Sequence, residues 1–217
     1  MDELVERLSR LDTCAVSDAL DRLGLTGVVL GIHPTAPPAK IAGRVVTMKL
    51  VDRTSANSAT TTHLGTHAIQ AASPGDVIVI QHGRLDAAGW GGILAAGAKT
   101  KGIAGVIVDG AARDIDEARE MGFPMFAREA IPSTARGRIV EESYQEPVRI
   151  GRVDVNPGDL VLADGSGVAF VTAERAAEVI ESAEMIAARE AKMKEAVLAG
   201  DPIVEVMGRD YETMLTR

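Results

Sequence analysis

Arg113 and Asp114 stand together after an apolar run, Val106-Ile107-Val108, and a turn of small residues, Asp109-Gly110-Ala111-Ala112. A guanidinium placed there can pair with an oxyanion through its fork of donors, and a neighbouring carboxylate can hold a divalent cation through oxygen. Together the two can bind an α-keto acid. The same dipeptide also reads as a surface ion pair opening a helix over 115–121, with Asp114 as its N-cap. Upstream, Gly89-Trp90-Gly91-Gly92 leads into Ile93-Leu94-Ala95-Ala96-Gly97-Ala98-Lys99. A glycine-rich entry to a helix presents unpaired N–H groups and the positive end of the dipole to a carboxylate or phosphate. A dinucleotide fingerprint would need Gly or Ala where Leu94 stands, with an acidic ribose partner downstream, and the sequence offers neither.

Other reactive residue types read more plainly. His63 and His67 lie four apart, a spacing that puts two rings on one helical face, but no third ligand accompanies them and a polar helix face is the better reading. Cys14 falls within a predicted helix and reads as a small buried side chain rather than a nucleophile. Gly165-Ser166-Gly167 lacks the strand-to-helix elbow of a serine hydrolase.

The elements that must position these groups follow from spacing. Asp12 or Thr13 caps a helix carrying Val16, Leu20 and Leu23 and stopping at Gly24. A Pro-rich connector at 35–38 precedes a strand over 41–50, and 55–72 reads as a loop entering a helix. Ser73-Pro74-Gly75-Asp76 turns the chain into a buried strand, Val77-Ile78-Val79-Ile80. The helix over 93–99 and a strand over 103–108 complete a βαβ unit, so ligands belong beyond the carboxyl ends of its strands, at loops 82–92 and 109–114. Asn156-Pro157-Gly158-Asp159 repeats the earlier turn within a meander over 147–171, with a further turn at Asp164-Gly165-Ser166-Gly167. Turn chemistry alone accounts for that repeat. A last helix runs from Thr172 to about Leu198. Val179, Ala183, Ile186, Glu190, Met193 and Val197 share one face of it, placing the Glu190 carboxylate on an otherwise apolar stripe that suits a subunit interface.

Composition narrows the class. The chain has 217 residues and a formal charge of −8 from 23 cationic and 31 acidic side chains, which argues against a nucleic-acid groove. Only six aromatics are present, so the core is aliphatic. One cysteine cannot close an intramolecular disulfide, the acidic start differs from a secretory signal, and no apolar run approaches the roughly 18 residues of a membrane span. A single cytoplasmic domain with no membrane and no nucleic-acid partner is expected.

The stretch from Gly91-Gly92-Ile93-Leu94 through Gly105-Val106-Ile107-Val108-Asp109-Gly110-Ala111-Ala112-Arg113-Asp114 resembles the 4-hydroxy-4-methyl-2-oxoglutarate aldolases and the related ribonuclease regulators, the RraA-like family. The similarity extends to Ile41-Ala42-Gly43-Arg44, Pro74-Gly75-Asp76-Val77 and Val155-Asn156-Pro157-Gly158-Asp159-Leu160-Val161, in order, over about 12–200. The resemblance implies an α/β chain with a three-layer ββα swivelling-domain-like fold. It forms one domain over 1–217, with a core at about 12–172 and a C-terminal helix at about 173–199. A homotrimer or hexamer with sites between subunits is implied. In the aldolases the Arg matching Arg113 binds the keto acid and its enolate, the Asp matching Asp114 anchors Mg²⁺ or Mn²⁺, and amides matching Gly91, Gly92, Ile93 and Leu94 receive the substrate carboxylate. The regulator branch tends to lack that Asp.

One departure stands out. The aldolases carry an acid twenty-one positions before the Arg, where it orients a metal-bound water, and 113 − 21 = 92 is Gly92 here. Aldol cleavage also needs a base for the C4 hydroxyl, for which Asp86 or the partner subunit's Glu190 are candidates. The expectation is a divalent-metal, class II pyruvate aldolase acting on 2-oxo acids, with oxaloacetate decarboxylase activity. The alternatives are a non-catalytic ribonuclease-binding trimer and a C–C lyase for another 2-oxo acid. A methyltransferase has no support, because no glycine-rich nucleoside loop is present.

Overall fold

The computed structural model describes residues 2–37, 40–54, 56–57 and 63–208. Helices α1 (Glu3–Arg10) and α2 (Thr13–Arg22) open the chain, followed by strands β1 (Val28–Val29), β2 (His33–Ala36) and β3 (Ile41–Asp52). Then come α3 (Thr66–Ala71), β4 (Val77–Gln81), β5 (Ala88–Trp90), α4 (Gly92–Thr100), β6 (Gly105–Ala112), α5 (Ile115–Met121) and β7 (Met125–Ala130). Strands β8 (Ile139–Tyr144), β9 (Val148–Ile150), β10 (Val153–Val155), β11 (Leu160–Asp164) and β12 (Gly167–Val171) lead to a 3₁₀ turn. Helices α6 (Ala176–Ala199) and α7 (Ile203–Val206) follow.

The main sheet runs β1-β12-β11-β3-β4-β6-β7-β2, with β5 paired to β6 and β8 to β3. The β3-β4-β6-β7 stretch is parallel, as the βαβ reading requires, as is the β5–β6 pair, and the remaining pairs are antiparallel. The twelve-residue β3 is long enough to serve two layers. Its start pairs with β11 and its middle with β4.

Period-two alternation decides which side chain faces which layer. In β4, Ile78 and Ile80 join the core beneath α3, α4 and α5, while Val77 and Val79 face the opposite way into the core between the β layers. In β11, Leu160 and Leu162 pack on α1, α2 and α6, and Val161 and Ala163 enter the inter-layer core. The N- and C-terminal helices therefore cover the outer face of one β layer, and α3–α5 cover the other. Isolated β-branched runs with no polar positions are what strands buried on both faces need.

The two Pro-Gly-Asp turns close as expected. Asp76 and Asp159 each donate an amide three residues back and accept an amide from Ser73 and Asn156 respectively through their carboxylates. Asp12 caps α2 by accepting from the Ala15 amide at 2.8 Å. No helix among the described residues is long and apolar enough to cross a membrane.

Several expectations need correction. Residues 109–112 are not a turn: β6 continues to Ala112, because Ala111 and Ala112 pair with β5 on one side and β7 on the other. The Asp-Gly turn signal is overridden because Asp109 is held within the sheet, its carboxylate paired with Arg128 and accepting the Gly151 amide at 2.8 Å. Residues 35–36 belong to the edge strand β2, where a bulge at Pro34–Ala36 accommodates the proline; Pro38 lies outside the described residues. Much of the expected loop at 55–62 also lies outside them. Cys14 is exposed, because Thr13, Ala15, Val16, Ala19 and Leu20 take the buried face of α2. Thr172 precedes a 3₁₀ turn, and the long helix starts at Ala176.

Candidate functional site

The site begins where α4 begins. Gly91 is the N-cap residue and supplies no side chain, so the first-turn amides of α4 have no side-chain oxygen from their own cap. The short β5 fixes this entry beside the end of β6: Trp90 pairs with Ala112, and the Trp90 carbonyl accepts the Arg113 amide at 3.0 Å.

Arg113 therefore follows the last residue of β6 directly. Asp114 adopts a left-handed conformation, φ 57°, which an aspartate tolerates better than most residues. That turn sends its carboxylate backwards. It makes no capping bond to α5; instead Oδ2 accepts the Gly92 amide at 2.9 Å and lies 3.3 Å from Arg113 Nε. Asp114 thus occupies the N-cap position of α5 but bonds to the N-terminus of α4. Of the amides expected to receive substrate, that of Gly92 is engaged by Asp114, and those of Ile93 and Leu94 stand in the first turn without a carbonyl behind them.

The absence of side chains at 91 and 92 is structural. A Cβ at Gly91 would stand 2.7 Å from Asp114 Oδ2 and 3.3 Å from Arg113 Nε. A Cβ at Gly92 would overlap Glu117 Oε2 and crowd Asp114 Cβ at 3.3 Å. Glu117, one turn into α5, fills the space that a side chain at 92 would take. Sequence reading missed it, although its spacing of three from Asp114 is the signal that could have found it.

Arg113, Asp114, Glu117 and Gly91 to Leu94 line one cavity of about 260 Å³. Leu64, Ala88 and Trp90 form its apolar wall, and His63, Thr134 and Arg136 complete its rim. The Arg136 guanidinium has no carboxylate partner among the described residues; its backbone amide bonds Thr134 Oγ1 at 3.2 Å. The Trp90 indole N–H is buried without a hydrogen-bond partner among the described residues.

Other candidates fall elsewhere. His67 lies in the first turn of α3, but His63 precedes that helix and its carbonyl accepts the Thr66 hydroxyl at 2.8 Å, so the two rings do not share a helical face. His67 pairs instead with Glu141 at 2.7 Å and stacks on Tyr144. Asp86 is exposed and held by two bonds from Arg84, which bring its carboxyl to about 2. Glu190 lies midway along α6 in a shallow apolar groove with Met193 and Val197, outside the Arg113 cavity of its own chain. Burial first, and then repulsion from Asp18 and Asp12, raise its carboxyl above the usual range. Gly165-Ser166-Gly167 joins β11 to β12 as a hairpin turn.

Comparison with known proteins places the chain in a family. A family model described as RraA-like, Aldolase/RraA, matches residues 13–170. Protein DlpA of Legionella pneumophila is 31% identical over 212 residues, 97% of this chain, which spans about a third (34%) of that longer protein. A Halalkalibacterium halodurans protein provisionally named as a 4-hydroxy-4-methyl-2-oxoglutarate aldolase is 33% identical over 187 residues, 84% of this chain and 82% of that one. Among solved structures, Streptomyces coelicolor RraAS2, described as an unusual member of the RNase ES inhibitor RraA family, superposes with a TM-score of 0.79 at 28% identity over 89% of this chain and 96% of its own. With a family model matched over residues 13–170, the chain belongs to the RraA-like family.

Proposed function

We propose that the protein is a divalent-metal, class II pyruvate aldolase that cleaves 4-hydroxy-4-methyl-2-oxoglutarate-type 2-oxo acids and also decarboxylates oxaloacetate. The observation that carries this reading is the convergence of Arg113, Asp114 and Glu117 on the N-terminus of α4 in one cavity. No group of three metal-ligating side chains occurs among the described residues. Two carboxylates lining the same cavity beside Gly92 nevertheless fit a small hard cation, which keeps several waters and accepts one or two protein oxygens plus substrate. Asp114 and Glu117 would hold Mg²⁺ or Mn²⁺, with Glu117 supplying from α5 the acid that Gly92 lacks. When bound, such an ion polarises the keto group and draws off the charge that builds on its oxygen.

The chain's own groups do the rest. The amides of Ile93 and Leu94, at the positive end of α4, receive the pyruvyl carboxylate. Arg113 donates to the keto oxygen, where negative charge develops as the C3–C4 bond breaks, so its attraction is stronger in the transition state than in the ground state. Arg136 and Thr134, which also line the cavity, suit a second carboxylate, as a 2-oxo diacid requires. Trp90 and Leu64 exclude water from the reacting carbons.

The test is pyruvate release from oxaloacetate with Mg²⁺ or Mn²⁺, with and without chelator. Turnover that vanishes with chelator and returns with added metal is expected. Arg113→Ala should lower kcat by about 10²–10³, the usual cost of one oxyanion donor. Turnover that ignores chelator, or survives Arg113→Ala, contradicts the proposal.

A further inference from the structure

The proposed aldol cleavage requires a proton acceptor for the C4 hydroxyl, and neither Asp86 nor Glu190 of the same chain lies in the cavity, whereas a base within the chain would need no partner subunit. Asp86 is paired to Arg84 outside it, and Glu190 sits on α6. Asp114 and Glu117 are committed to the cation. Imidazole is the side chain that most often moves protons in enzymes, and one lines this cavity: His63.

Its hydrogen bonding determines what it can do. Nδ1 lies 2.9 Å from the Leu64 carbonyl oxygen, which can only accept, so Nδ1 carries the hydrogen. In the neutral ring Nε2 is then left with its lone pair, and it has no hydrogen-bond partner among the described residues. The segment that carries His63 is pinned in place. A buried carboxylate, Glu141, accepts the Gly65 amide at 2.7 Å with one oxygen and pairs with His67 at 2.7 Å with the other. Gly65 lies so close to α4 that a Cβ there would stand 3.1 Å from Leu94 and 3.2 Å from Trp90. The loop bearing His63 is therefore held against the wall of the pyruvyl site.

We infer that His63 is the catalytic base of aldol cleavage; this rests on the proposed function. Nε2 takes the C4 hydroxyl proton. The O–H electron pair forms the C4 carbonyl as the C3–C4 bond breaks, and the pair from that bond passes through C2–C3 to the keto oxygen facing Arg113. The proton on Nε2 then goes to C3, so pyruvate and a second carbonyl product leave and the ring is again neutral. No oxidant or further reactant enters. Oxaloacetate has no C4 hydroxyl, so its decarboxylation does not need this base, and water can protonate C3.

The experiment compares wild type, His63→Gln and His63→Ala on two substrates with Mg²⁺: 4-hydroxy-4-methyl-2-oxoglutarate and oxaloacetate. The expected result for both variants is a fall in kcat for aldol cleavage of about 10² or more, the usual contribution of general base catalysis, with decarboxylation within about threefold of wild type. Free imidazole should restore cleavage to His63→Ala, which a merely structural role would not allow. Retained decarboxylation also shows that each variant is folded. Parallel loss of both activities, unchanged cleavage, or failure of imidazole rescue overturns the inference. A wild-type protein that decarboxylates oxaloacetate but cleaves no 4-hydroxy-2-oxo acid overturns it while leaving decarboxylation standing. Absence of both activities in wild type removes the function beneath it.

Discussion

Glu117 is the residue on which the metal reading turns. Its carboxylate occupies the space left open by Gly92, so a methyl group at 92 must displace it; because the obstacle is the far end of a flexible side chain, the fold should tolerate the change. Gly92→Ala and Glu117→Gln are both expected to weaken Mn²⁺ binding about 10–100-fold in calorimetric titration, with little change in Tm. Metal affinity equal to wild type in both variants would show that Glu117 has no such role. Arg113 and Asp114 were legible in the sequence because two opposite charges stand together a few small residues beyond a buried apolar run. Glu117 was not, because nothing in the sequence sets it opposite Gly92; only the fold brings α5 against the start of α4. His63 was misread for a related reason: four-residue spacing means a shared face only inside a helix, and α3 starts at Thr66.

At the scale of elements, a carboxylate clamp holds the frame. Asp164, at the end of β11, accepts the Thr13 hydroxyl at 2.6 Å and the Thr13 amide at 2.8 Å, tying α2 to the sheet. Burial pushes its carboxyl up, but the bonds from Thr13, Ser166 and Gly167 outweigh burial and lower it. The stability this contributes is therefore complete above the ordinary carboxylate range and is lost as pH falls through the lower folded value. Asp164→Ala should cost about 1–3 kcal/mol in urea unfolding at pH 7, and less at pH 3. An equal cost at both values would contradict the clamp.

His82, the buried first residue of the β4–β5 connection, behaves in the same direction. Its Nε2 lies 2.6 Å from the Ala87 carbonyl, and Nδ1 has no partner among the described residues. Burial disfavours the imidazolium and holds the pKa below its usual value. The unfolded chain binds the proton more readily, so stability is full above about pH 6.5 and declines as pH drops through the folded value. His82→Gln, whose amide can still donate to Ala87, should flatten that decline in a pH series of urea midpoints; a decline as steep as wild type contradicts the assignment. The βαβ unit, both Pro-Gly-Asp turns and the closing helix were readable from periodicity and turn chemistry. The extension of β6 through Asp109-Gly110 was not, because it depends on Arg128 and Gly151, far along the chain. The short α1 was overlooked for its charge, although Asp2 caps it and Leu8 is fully buried.

Considered whole, the molecule leaves the far half of α6 and the start of α7 covered by little. Leu198, Ile203 and Val204 are exposed beside the groove that contains Glu190 and Met193. A trimer or hexamer of the 22.8 kDa chain, the state implied by family resemblance, is expected by native mass spectrometry, and Leu198→Asp with Val204→Asp should shift it toward monomer. A wild-type monomer at micromolar concentration would contradict that expectation. The claim on which everything else depends is that Arg113, Asp114, Glu117 and the first turn of α4 form one binding site, and a crystal structure of the protein soaked with pyruvate and Mn²⁺ tests it most directly. The expected result is anomalous density for the metal between Asp114 and Glu117, with the pyruvate carboxylate on the amides of Ile93 and Leu94 and its keto oxygen facing Arg113. Metal and pyruvate bound away from these residues, at concentrations that saturate turnover, would contradict the account.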